Sequence, residues 1–165
     1  MHDASDIELA QLPDGVDGNI RAFVDSWYEA LGDCREGELP SRAILNAQRL
    51  ARWRDDISIY EFQPEKDDFL IRLSAPSSIE STGENFQGST PRVIDLKYGT
   101  FLMQALRKTL QIKRPTFHHI SVDGLNGERQ YWLRVLLPCQ TSDHFAAPVY
   151  QVLGARFASI PMHKM

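Results

Sequence analysis

The chain has 165 residues, 42% of them hydrophobic, which suits one ordinary domain with a single core. Lys and Arg number 18 against 22 Asp and Glu, and the resulting net charge of -4 argues against a general electrostatic affinity for nucleic acid or an anionic membrane. Two cysteines, Cys34 and Cys139, are too few for a disulfide framework, and the opening MHDASDIELAQLPDG has neither a basic end nor an apolar run for export, so the expectation is a reduced, cytoplasmic protein.

Residues 1–18 are polar and lack periodicity, and they read as a flexible tail. Ile20, Phe23, Val24, Trp27, Tyr28 and Leu31 then fall at helical spacing, with Asp25, Glu29 and Asp33 opposite, which predicts a helix over 19–36. The apolar face is wide, so Phe23, Trp27 and Leu31 are the expected dimerisation or docking surface. Gly37 and Pro40 end this helix. Ser41 can cap a second, shorter one through Ile44, Leu45, Leu50 and Trp53, making 19–54 a helical cover for a sheet.

The core is expected over 55–160, with 161–165 as a tail. The runs 57–62 and 69–73, rich in β-branched and aromatic residues and joined by a polar turn at 63–67, predict a hairpin. The Ser-, Gly- and Pro-dense stretch after it holds only short helical turns. Tyr98, Phe101, Leu102, Ala105, Leu106 and Thr109 predict a helix over 97–112, stopped by Pro115. Strands at 116–123, 129–138 and 149–158 come next. On the middle one Tyr131, Leu133, Val135 and Leu137 share a face, and Gln130, Trp132, Arg134 and Leu136 share the other. The second face is itself half apolar, so both faces should be covered. Two strands, a helical insert and three strands make an α+β domain built on one antiparallel sheet.

This succession is the order of elements in PAS sensory domains, and the segment FLIRLSAPSSIESTGENFQG at 69–88 resembles a PAS-like family of short bacterial proteins. Arg72-Leu73 ends a strand, Glu80 is acidic, and Gly83 precedes Phe86-Gln87-Gly88. Trp27, the run Leu39-Pro40-Ser41-Arg42 and the strand YWLRVLLP resemble it too, and agreement in order runs from about Ile20 to Phe157. Ala75-Pro76 departs from the family's Gly-Thr, which alters the turn at the pocket mouth. The resemblance implies a five-stranded sheet in the order 2-1-5-4-3, with 57–62 beside 149–158, 115–123 at an edge, the insert on one face and the N-terminal helices on the other. It also implies a small central cavity. The expected pocket residues are Leu73, Ile79, Phe86, Leu102, Leu106, Phe117, His119, Tyr131, Leu133 and Val135.

The implied function is a non-catalytic sensory or regulatory domain that binds a small molecule or a partner protein, with signalling through association as a homodimer or with another protein. No nucleic acid, membrane or metal partner is expected. The alternatives are an interaction module whose cavity is filled by its own rings, and a small α+β-barrel enzyme, which would need an Asp and a His converging inside the pocket. Haem-binding relatives place their ligand histidine on the insert helix and flavin-binding ones a cysteine in the insert. The insert here has neither, so no cofactor is named. His118 and His119 leave opposite strand faces and cannot share a metal. Ser142, Asp143 and His144, or Asp123 with His118, offer triad residue types without the convergence a triad requires. The basic clusters Arg42, Arg49, Arg52, Arg54 and Arg107, Lys108, Lys113, Arg114 are balanced by nearby acids. Arg72, flanked by Ile71 and Leu73, needs a partner, and Glu80 or Asp95 is expected to supply an ion pair fixing insert to sheet.

Overall fold

The computed structural model describes residues 4–34, 39–141 and 147–165. In chain order the elements are β1 (Ser5–Leu9), α1 (Gly18–Gly32), a 3-10 helix (Ala51–Asp56), β2 (Ile57–Gln63), β3 (Asp68–Leu73), α2 (Pro76–Thr82), α3 (Pro91–Tyr98), α4 (Leu102–Ile112), β4 (Thr116–Asp123), β5 (Arg129–Thr141), β6 (Val149–Ala158) and a closing 3-10 turn (Met162–Lys164). Among the described residues six strands form one antiparallel sheet, ordered β1-β4-β5-β6-β2-β3.

This corrects the expected five-stranded 2-1-5-4-3 sheet. The sixth strand comes from the segment read as a flexible tail: β1 pairs with β4, Asp6 opposite Ile120 and Glu8 opposite His118, so 116–123 is not an edge. Sequence periodicity missed β1 because the residues it turns toward the insert side are charged. Asp6 meets Arg134 and Glu8 meets Lys108, so one row of the strand is held by ion pairs, and the other supplies only Ile7 and Leu9, an alternation too short to mark a strand.

The sheet is covered on both sides. On one face α1 lays Ile20, Phe23, Val24 and Trp27 onto Leu133, Val135, Leu137, Leu153 and Phe157. Asp17 caps α1 by accepting a hydrogen bond from the Asn19 backbone N–H at 2.7 Å. Phe23 packs edge-on to Trp53 and Phe157 at centroid distances of 5.3 and 5.8 Å, and Trp27 Nε1 donates to the Pro138 carbonyl at 2.7 Å. Phe23 and Trp27 are fully buried, so they are core residues and not the docking surface expected of them; Leu31 is half-buried beside them. The helix ends at Gly32 with Asp33 as C-cap, short of the expected 36; Glu36 and Gly37 lie outside the described residues. The expected second helix over 41–54 is reduced to turns and the 3-10 helix, whose Trp53 Nε1 donates to Asn19 and ties it to the start of α1.

On the other face lies the insert. Its predicted long helix is broken: Gly99, at φ 70°, ends α3, and Asp95 turns back to cap α4, accepting from Leu102 N at 2.7 Å and Met103 N at 2.9 Å. α4 sets Leu102, Ala105 and Leu106 against Tyr60, Ile71, Leu136 and Val152. The described residues contain no helix long and apolar enough to cross a membrane.

Candidate functional site

Toward the hairpin end of β4 and β5, residues of α2 and α3 and Leu102 at the start of α4 stand over the insert-facing side of the sheet. The result is a cavity of about 100 Å³. Its floor is the insert-facing side of the sheet: Ser58 and Tyr60 of β2, Ile120 and Val122 of β4, Gln130 and Arg134 of β5, and Gly154 and Arg156 of β6. Phe86, Ile94, Tyr98 and Leu102 close it from above. The parity of the pairing explains the composition: even-numbered residues of β4, β5 and β6 meet the insert, and odd-numbered ones meet α1.

Of the ten expected pocket residues, Phe86 and Leu102 line the cavity. Leu106 is buried in the layer between α4 and the sheet. Leu133 and Val135 belong to the α1 face, with Phe117 packed against them, and their neighbours in the ladder, His119 and Tyr131, share that face. His119 Nε2 lies 2.8 Å from the Ile160 carbonyl, with the Tyr131 ring 6.1 Å away. Ile79, in α2, stays off the cavity wall, and Leu73, beyond a bulge between Ile59 and Tyr60, is 38% exposed. Alternation marked which residues share a face, and with apolar residues on both faces it did not mark which face meets the insert.

The residues that give the site its chemistry are Arg134 and Arg156, which sit directly opposite each other on β5 and β6. Like charges so placed repel, and each needs its own compensation. Arg134 has it: Nη1 and Nη2 each lie 3.0 Å from a carboxylate oxygen of Asp6, with the two side chains only 6% and 1% exposed. Asp6 Oδ2 also accepts from Phe101 N at 2.8 Å, so one carboxylate joins the edge strand, the cavity floor and the start of α4. Arg156 has no carboxylate partner of this kind among the described residues. Its guanidinium lies 4.1 Å over the Trp132 ring, Nη2 donates to Ser81 Oγ at 2.5 Å, and its buried Nε, like that of Arg134, has no acceptor among the described residues. Burial pushes its pKa below the ordinary arginine value. Of the carboxylates on the wall, Glu84 is paired to Lys97 and Asp123 to Arg129, while Asp56 acts on Arg156 through space without an ion pair among the described residues.

Tyr60 lies flat over β6 because position 154 is glycine: a Cβ there would stand 2.9 Å from Tyr60 Cε2 and 3.1 Å from Leu136 Cδ2. Burial raises the Tyr60 pKa, so the phenol faces the cavity region neutral.

Arg72 pairs with Glu61, at 2.7 Å, and not with Glu80 or Asp95; Glu80 is exposed on α2 and Asp95 is engaged as the α4 cap. The hydrogen bond from Arg72 holds Glu61 below the usual carboxylate range. Glu61 also accepts from Gln151, which accepts from Arg42, so this chain of polar contacts ties β3, β2, β6 and the 41–45 turn together on the α1 side of the sheet. Cys139 is fully buried, with its thiol pushed up to about 12 by burial, which makes it inert. Ser142, Asp143 and His144 lie outside the described residues. Asp123 pairs with Arg129 at the exposed hairpin end, and no three His, Cys, Asp or Glu among the described residues converge on a metal position.

His118 packs between β1 and α4, opposite Arg134, with Asp6 and Glu8 on β1 and Lys108 on α4. Its Nδ1 is buried without a partner among the described residues, and burial, reinforced by Arg134, lowers its pKa to about 4. The folded protein therefore keeps His118 neutral, whereas the unfolded chain takes up the proton near pH 6.5. Stability should fall as pH drops from about 6.5 toward 4. Urea unfolding at pH 7.0 and 4.5 should show His118→Gln losing about 2 kcal/mol less than the parent over that range.

No family model matches the chain, and neither does a curated protein or a solved structure.

Proposed function

We propose that the chain is a non-catalytic sensory or regulatory domain, akin to the PAS-like family that its 69–88 segment resembles, which binds a small ligand between the insert and the sheet and signals by protein association. The observation that carries this reading is a roofed cavity whose floor holds two arginines, Arg134 and Arg156. Arg156 keeps a buried Nε–H without an acceptor among the described residues, an arrangement that costs stability unless something else occupies the site. Two features favour binding over catalysis. Of the three wall carboxylates, Glu84 and Asp123 are held in ion pairs, and the two strand histidines sit elsewhere, one against β1 and one on the α1 face. A route outward also exists, since Arg134 touches both the cavity and Asp6, so occupancy reaches the edge strand β1. With Phe23 and Trp27 buried, association has to use a surface other than the apolar face of α1.

The small free volume favours a second reading, an interaction module filled by its own rings, because pockets for drug-sized ligands run from about 300 to 1,000 Å³. Native mass spectrometry of protein purified from its own source separates the two. The sensor reading expects a retained small molecule whose removal lowers the thermal midpoint. A bare mass, with no stabilisation by a metabolite extract, would leave the interaction module.

A further inference from the structure

We propose that the cavity is a site for a small monocarboxylate with a short apolar tail, its carboxylate held by Arg156. This rests on the ligand-binding reading and adds the chemical class. Arg156 lines the cavity, and the Nε–H and Nη2–H edge of a planar guanidinium is the fork that matches a carboxylate with two parallel hydrogen bonds. Nη2 donates to Ser81 Oγ, and Nε has no acceptor among the described residues. The plane is braced by Trp132 beneath it, 4.1 Å away, so the fork is oriented before any ligand arrives.

Three further features narrow the class. The opposing Arg134 is already neutralised by Asp6, and Arg156 is offset only through space by Asp56, which suits a ligand with a single negative charge. Ile71, Ile94, Leu102, Ile120 and Val122 supply an apolar wall for a tail. The free volume of about 100 Å³ limits that tail to a few carbons, and a phosphate would bring more charge and more acceptors than one guanidinium fork satisfies. A carboxylate bound here also lies beside Arg134, so it competes for the group that secures β1.

The test is isothermal titration of the full chain with propionate, isobutyrate and 2-oxobutyrate, and with propionamide as the neutral isostere. The parent protein should bind at least one carboxylate, with the amide at least tenfold weaker. Arg156→Gln should lose at least tenfold, and Arg156→Lys should recover part of that loss, since it restores charge without the fork. Circular dichroism checks that both variants fold, and if Arg156→Gln does not, the carboxylate-to-amide ratio on the parent protein decides alone. Equal binding of acid and amide, unchanged affinity in a folded Arg156→Gln, or no binding of any of the three carboxylates would overturn the assignment. If the protein from its own source nevertheless retains a neutral molecule, the ligand-binding reading stands and only the carboxylate class falls.

Discussion

Asp6→Asn should lower the unfolding free energy by about 3 kcal/mol, because it removes the charge from one side of a buried pair and leaves the Arg134 guanidinium unneutralised. The asparagine is nearly isosteric and can still accept from Phe101 N, so the loss reads the charge itself and not a cavity. A surface pair would lose well under 1 kcal/mol on the same change. The two values separate a stapled β1 from a loosely attached one. Urea denaturation with the slope checked for constancy is the measurement. Asp6→Leu combined with Arg134→Met should recover most of the loss, since an apolar pair of similar volume is often as stable as a buried ion pair. An unchanged midpoint in Asp6→Asn would mean that residues 5–9 leave the sheet in solution.

Gly154→Val should cost about 2–3 kcal/mol and reduce ligand binding together with stability. The site demands glycine for space: the added Cβ alone would come within 2.9 Å of the Tyr60 ring, in the middle of a strand paired on both sides. Tyr60 has little room to retreat, being buried against Ile71, Leu136 and Val152, and the open side is the cavity. Relief of the clash therefore drives the ring into the space where a ligand would sit. Gly154→Ala should show the same pattern in weaker form. Thermal unfolding, read beside the carboxylate titrations, checks both halves. A variant as stable as the parent would show that the ring's position over β6 is not fixed by this contact.

The strands between 57 and 158 were legible because alternating β-branched and aromatic residues, turn residues and apolar spacing agree there, and α1 was legible because Ile20, Phe23, Val24 and Trp27 stand at i, i+3, i+4 and i+7. Sheet size and edge were not legible, since β1 is specified by long-range charge pairing, Asp6 to Arg134 across 128 positions, which no local window registers. Of the site, the insert side appeared in part through Phe86 and Leu102. The strand side was assigned to the wrong face because β5 is apolar on both, and the more apolar row, Leu133 and Val135, is the one packed against α1. The usable signal was the polar row between them, Gln130, Trp132 and Arg134, matched across the sheet by Arg156: a charged row on a covered sheet needs a partner, and a cavity is one place to find it. Arg72 misled for a related reason. It lies on the α1 side next to Glu61, and its register after the bulge is a tertiary outcome.

In the proposed function a ligand binds on the insert side of the sheet, over Tyr60, Arg134 and Arg156. Methyl chemical-shift mapping of labelled protein during titration with a small-molecule extract of the source cells tests it most directly. Shifts are expected at Ile71, Ile94, Leu102, Ile120 and Val122, with Leu133, Val135 and Leu153 unmoved. Shifts confined to Leu133, Val135 and Leu153, or none at any of these methyls, would contradict it.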